Sequence, residues 1–101
     1  MPSFGNPYEG IDLNKKLSTE EIVRVLRFLV SAEYEAVQIY QQAVNSFDDP
    51  LFKQVINSII DEEKVHAGEF LTLLKTLQPN EESFYEKGKK EVLDIKIHKH
   101  I

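Results

Sequence analysis

The chain has 101 residues with 17 Asp and Glu against 12 Lys and Arg; this is a single domain whose net charge of −5 excludes nucleic acid as a natural partner, because phosphate binding wants a basic face. It contains no cysteine, which excludes a disulfide framework, a thiolate zinc site and a rubredoxin-type iron site, so any metal must be held by oxygen and imidazole. No run approaches the roughly 18 apolar residues of a membrane span, and Met1 to Gly10 lacks the basic and apolar regions of a signal peptide, so the expectation is a soluble cytoplasmic protein with no membrane partner.

Residues 1–17 carry Pro2, Gly5, Pro7 and Gly10 without a sustained period and read as an irregular arm, with Phe4 and Tyr8 free to pack on a neighbour. Ser18-Thr19-Glu20-Glu21 has the form of a capping box and predicts the start of a long helix. From there Ile22, Leu26, Leu29, Glu33, Ala36, Tyr40, Ala43 and Phe47 follow at alternating gaps of four and three. Glu33 is the only charge in this heptad stripe, and the helix is expected to stop near Phe47.

Asp48-Asp49-Pro50 supplies the turn, since Asp49 can cap the next helix and Pro50 suits its first position, where no N–H is missed. The second helix repeats the pattern through Phe52, Ile56, Ile59, Glu63, His66, Phe70, Leu73 and Leu77, with Glu63 and His66 its only polar members, and Gln78-Pro79 ends it. Each helix is about 40 Å long at ~1.5 Å per residue, and so short a turn forces the pair antiparallel. Residues 18–78 are therefore a helical hairpin. Asn80 is placed to cap a short third helix over residues 79–94, with Phe84, Tyr85, Val92 and Leu93 as a weak apolar edge and Gly88 loosening it. Residues 95–101, Ile-Lys-Ile-His-Lys-His-Ile, alternate like an edge strand or a disordered tail. The fold class is all-α.

Glu63 and His66 are three apart, so one helical turn can present a carboxylate oxygen and an imidazole nitrogen to the same ion. In an antiparallel hairpin turning near residue 48, positions whose numbers add to about 96 lie level, and 33 plus 63 is 96. The two stripe carboxylates should face each other with His66 one turn further from the turn. Two such groups buried together need a cation or a proton, because unpaired burial and mutual repulsion cost several kcal/mol. Glu33, Glu63 and His66 are thus the candidate metal ligands. Taken singly, a stripe Glu is more often a snorkelling boundary residue and an i,i+3 Glu/His pair is common.

Tyr40, seven residues beyond Glu33, either packs with its hydroxyl at a wet edge or hydrogen-bonds to a site reached from an opposing chain. Glu35, Asp61 and Glu62 fall beside the stripe as a solvated acidic face that can also attract ions. His98 and His100 read as adventitious surface histidines. A di-metal bundle requires two Glu-x-x-His pairs, and this chain has one. Half a site per chain makes dimerisation a condition of activity.

Ala32-Glu33-Tyr34-Glu35-Ala36-Val37-Gln38-Ile39-Tyr40, followed by Asp61-Glu62-Glu63-Lys64-Val65-His66-Ala67-Gly68-Glu69-Phe70, resembles the encapsulated ferritin family, two-helix members of the ferritin-like superfamily housed in, or fused to, encapsulin shells. The similarity spans roughly residues 19–94. It implies a ferritin-like four-helix bundle completed on dimerisation, and a di-iron ferroxidase centre shared across that interface. Glu33, Glu63 and His66 would bind the iron, with Tyr40 close by at the catalytic centre. Glu35 and Glu62 would match secondary metal sites leading to it. The resemblance also implies a ring of dimers such as a decamer, an encapsulin shell as partner, and iron storage or detoxification inside that compartment. Two positions depart from the family: Ala32 where better-known members are acidic, and Ile39 where an aromatic is often seen, which bears on the access route. No shell-targeting peptide is recognised at the C-terminus, so cargo, fusion fragment and shell-independent protein all stay open. A rubrerythrin-like peroxide reductase on the same metals and a purely structural helical oligomer are the rival readings. Manganese or zinc would fit similar ligands.

Overall fold

The computed structural model describes residues 16–99, and the expectations for Phe4, Tyr8 and His100 lie outside them. Three helices run in order, α1 over Thr19–Val44, α2 over Pro50–Leu77 and α3 over Pro79–Lys99, with no strand among the described residues. The capping box at the head of α1 is formed: Glu21 N donates to Ser18 Oγ at 3.2 Å and Ser18 N donates to Glu21 Oε1 at 2.9 Å. These bonds satisfy two donors that a helix start leaves free.

α1 ends three residues before Phe47, the expected stop. Asn45 is its C-cap, and the Ser46 hydroxyl donates to the Gln42 carbonyl at 2.9 Å in the turn that follows. Phe47 instead meets Phe52 edge-to-face across the turn, with ring centroids 6.0 Å apart. Asp49 caps α2 as expected, its Oδ1 accepting from Leu51 N at 2.9 Å and Phe52 N at 3.2 Å, with Pro50 at the first helical position.

The start of α1 packs on the end of α2, as antiparallel helices must. Val23, Leu26 and Leu74 form the core, with Leu29 and Phe70 against it, and Leu74 is the most deeply buried side chain. Val30, Ile60 and Ala67 are also buried. Of these, only Leu26, Leu29 and Phe70 lie on the heptad stripes read from the sequence. Other stripe members stand open, Phe52 at 55 % and Leu73 at 54 % exposure. The stripes therefore run along the edge between the hairpin core and a half-exposed apolar face, because one partner helix covers only part of an apolar sector this wide.

α3 begins immediately after Gln78, the single residue joining it to α2. Asn80 is consequently inside its first turn, where its carbonyl accepts from the Ser83 hydroxyl at 2.7 Å, and is not its cap. The helix does not stop at residue 94. Ile95 to Lys99 continue it, which corrects the expected strand-like tail: after Gly88 no Gly or Pro interrupts, and a short alternation of Ile and Lys is a weaker signal than uninterrupted helix formers. α3 packs on the end of α2 and otherwise projects from the hairpin, so the Cα radius of gyration is 17.8 Å, against about 13 Å for a compact 100-residue domain. Its root is held by charge. Arg27 of α1 and Tyr85 both hydrogen-bond to Glu81, and Lys75 Nζ of α2 lies 2.7 Å from Glu82 Oε2. No helix among the described residues is long and apolar enough to cross a membrane.

Candidate metal centre

Glu33 comes from the middle of α1, and Glu63 and His66 from successive turns of α2. The antiparallel register brings them together. One donor atom from each lies within 4.8 Å of the others, and they are the only metal-capable group of three among the described residues. His66 Nδ1 stands 3.6 Å from Glu33 Oε1 and 3.9 Å from Glu63 Oε1. Both separations exceed a hydrogen bond. The three side chains grade outward, with exposures of 15 % for Glu33, 20 % for Glu63 and 46 % for His66.

Glu33 is the strained member. Its Oε2 is buried without a hydrogen-bond partner. Burial pushes its carboxyl above the usual carboxylate range; the hydrogen bond and charge of Glu63 push the same way, and His66 opposes them only weakly. An ion set among the three would supply what the arrangement lacks: a partner for the orphaned oxygen and a positive charge between two carboxylates. Two carboxylates and one imidazole are a donor set for iron, manganese or zinc. The residues present fit a metal, and the set is open to solvent on the His66 side.

Tyr40 is half-buried on α1, two turns and about 10 Å along the helix from Glu33, and no hydrogen bond joins the two among the described residues. Glu35, two residues from Glu33, faces another side of α1, where it lines a shallow depression with Ser31, Tyr34 and Gln38. Glu62 is exposed beside Glu63. Neither joins the cluster, so the chain alone gathers no secondary site from them. The unpartnered Oε2 of Glu33 is what sequence reasoning could not see, because spacing fixes a residue's height on a helix but not which of its atoms finds a donor.

Residues 14–99 match the family model described as Rubrerythrin. The chain is 32 % identical over 85 residues to the ferritin-like-encapsulin shell fusion protein of Pyrococcus furiosus, covering 84 % of this chain and 25 % of that protein. It is 28 % identical over 76 residues to the encapsulin nanocompartment cargo protein EncC of Myxococcus xanthus, covering 75 % of this chain and 58 % of that one. It thus spans a quarter of the first relative and little more than half of the second. Among solved structures it superposes on the crystal structure of the encapsulated ferritin domain from Pyrococcus furiosus with a TM-score of 0.80 and 30 % identity, over 92 % of this chain and 94 % of that domain.

Proposed function

The chain belongs to the rubrerythrin family of ferritin-like proteins, and from that membership we propose that it is a ferroxidase whose centre is completed by a second copy. The observation that carries this reading is the trio itself: Glu33, Glu63 and His66 converge within 4.8 Å, and a buried oxygen of Glu33 has no partner within the chain. Each subunit offers two carboxylates and one imidazole on a half-exposed apolar face. Two such faces brought together by a two-fold axis bury that face and give two Fe(II) ions a full set of ligands.

The residues divide the work. Glu33 and Glu63, the more buried pair, would hold the iron through hard oxygen donors that suit Fe(II) and Fe(III) alike. His66, nearest the surface, adds a nitrogen donor at the rim. The apolar surround of Ile59, Ile60 and Phe70 limits access of bulk water. To Tyr40, half-buried two turns from Glu33, we assign a hydrogen bond towards the centre of a second copy. The reaction balances as two Fe(II), one O2 and two protons going to two Fe(III) and hydrogen peroxide, each iron giving up one electron.

Two helices side by side enclose no volume for a mineral, so the oxidised iron must be handed on. The relatives named for encapsulin support a shell as its destination, with this chain inside that compartment in the cytoplasm; the ring of dimers is part of the proposal. Family membership also keeps a peroxide reductase in view. Anaerobic Fe(II) titration followed by native mass measurement is expected to give two irons per dimer, and exposure to O2 should then oxidise them rapidly. Glu33→Ala, Glu63→Ala and His66→Ala should each abolish that oxidation with helix content retained. No bound iron, or wild-type rates in any of these variants, would overturn the assignment; faster turnover with H2O2 than with O2 would favour the reductase.

A further inference from the structure

The seam between α1 and α2 has one small layer, and that layer lies beside the metal trio. Val23 and Leu74 pack together in the core, which fixes the antiparallel register: residues whose numbers add to 97 face each other. Seven residues along, the same sum pairs Val30 with Ala67, and seven further it pairs Val37 with Ile60. Val37 is half-buried and the other five are buried. Towards the turn the layers are therefore valine on leucine, valine on alanine and valine on isoleucine. Ala67, 4 % exposed, is the smallest buried side chain among the described residues.

Ala67 follows His66 directly and stands one turn from Glu63, while Val30 stands one turn from Glu33. Helix axes lie about 8–10 Å apart according to the side chains at their contact, so the smallest layer is where α1 and α2 come closest. The trio needs that closeness. Bonds from an ion to carboxylate oxygen and imidazole nitrogen are about 2.1 Å long, so one ion spans donors at most about 4.2 Å apart. His66 Nδ1 is 3.6 Å from Glu33 Oε1 and 3.9 Å from Glu63 Oε1, and the whole trio fits within 4.8 Å. The set stands at the limit of that reach. Glu33 has little freedom to follow a receding partner, since its side chain is 15 % exposed and its Oε2 is buried.

We infer that Ala67 is the positioning residue of the centre: its lack of bulk holds α1 and α2 close enough for Glu33 to share an ion with Glu63 and His66. Ala67 offers no donor and acts only through the spacing of the helices that carry the donors. The inference rests on the proposed function as far as the trio binds metal, and not on the reaction performed there. A role in the core alone has a different signature. Carbon added at any layer of the seam would then lower stability alike, whereas a positioning role confines the loss of metal affinity to the layer of Val30 and Ala67.

The test uses the whole chain as wild type, Ala67→Val, Ala67→Ser, Val30→Ile and Val23→Ile. Zn(II) and Mn(II) affinities come from competition with a chromophoric chelator, stability from urea denaturation without metal, and the Glu33 to His66 separation from metal-free crystal structures. Ala67→Val is expected to widen that separation and to bind both ions about tenfold or more weakly, the order of effect of removing groups that support ligands. Val30→Ile adds one carbon to the same layer from α1 and should weaken binding in the same sense; it carries the test if Ala67→Val does not fold. Ala67→Ser should bind as wild type does, because a helix takes up a hydroxyl on its own carbonyls, as it does for Thr72 and Thr76. Val23→Ile, two turns further from the centre, should lower stability and leave affinity unchanged. Unchanged affinity in Ala67→Val and Val30→Ile overturns the inference, as does equal weakening in Val23→Ile or a wild type that binds neither ion. Should the affinities follow the expected pattern while wild type fails to oxidise Fe(II), the ferroxidase reading falls and the positioning role stands; rapid oxidation by wild type with unchanged affinity in the variants gives the reverse.

Discussion

Replacing Glu33 by Gln should stabilise the metal-free protein and abolish its stabilisation by metal. The carboxylate is held at a cost. Its Oε2 is buried without a donor, worth about 1–3 kcal/mol for an unsatisfied group. The donor atoms of Glu33 and Glu63 lie within 4.8 Å of each other; at that separation two full charges repel by about 1 kcal/mol in water and about 3 kcal/mol at an effective dielectric near 20. Glu63 and His66 are 20 % and 46 % exposed, so solvent screening argues for the lower part of these ranges. Glutamine keeps the volume, leaves no cavity and removes the charge. The expected gain at pH 7 is about 1–3 kcal/mol, or roughly 4–8 °C in Tm for each kcal/mol.

The pH dependence has a definite sign. Burial and Glu63 raise the folded carboxyl of Glu33, so between the ordinary value near 4.3 and that raised value the folded state holds a proton that the unfolded state has lost. Metal-free wild type should lose stability as pH rises through this window and level off above it; Glu33→Gln should lack that slope. Urea denaturation followed by circular dichroism, at fixed protomer concentration with chelator and then with Mn(II) or Zn(II), measures both effects. A metal-free variant less stable than wild type by 1 kcal/mol or more would refute the argument, as would equal stabilisation of the two proteins by metal. Either result would make Glu33 a structural hydrogen-bonding residue.

Leu74→Ala should cost about 3 kcal/mol in the same denaturation experiment, because this side chain is only 1 % exposed and anchors the cluster with Val23 and Leu26; a loss below about 1 kcal/mol would mean the core is elsewhere. The hydrogen bonds from Arg27, and then from Tyr85, hold the Glu81 carboxyl below its ordinary range, so the ties at the root of α3 contribute fully above the unfolded carboxyl value near 4.3 and are lost as pH falls through the folded value. Amide exchange in Pro79 to Lys99 should accelerate across that interval, and Arg27→Ala should bring the same acceleration at pH 7; unchanged protection in the variant would show that α3 is held by something other than this pair.

Much of the centre was legible because helical geometry converts spacing into position. Two heptad stripes and an Asp-Asp-Pro turn fixed which carboxylates would be level, and Glu33 does meet Glu63 and His66. The core was less legible. A stripe of period 3.5 identifies an apolar sector but not which part of it the partner helix covers, and the deepest side chains, Val23, Ile60 and Leu74, lie beside the stripe. α1 ends at Val44, three residues short of Phe47, because the stripe marks which residues are apolar and not where the backbone leaves the helix. α3 was read too short because Ile95, Lys96 and Ile97 fit two periods at once, and continuity with the preceding turns decided between them. The resemblance assigns Glu35 to a secondary site and not to the trio, and a separation of two on a helix does turn it away from Glu33.

Gln78 stands alone between two helices of 28 and 21 residues. With so short a joint, the angle between α2 and α3 is written into a single pair of backbone dihedrals, φ −133° and ψ 71°. One residue inserted between Gln78 and Pro79 would turn the apolar face of α3 by about 100° relative to the hairpin. The joint therefore acts as a setting for direction: where the apolar edge of α3 points, relative to the face that carries Glu33, Glu63 and His66, is determined at the residue where α2 hands the chain to α3.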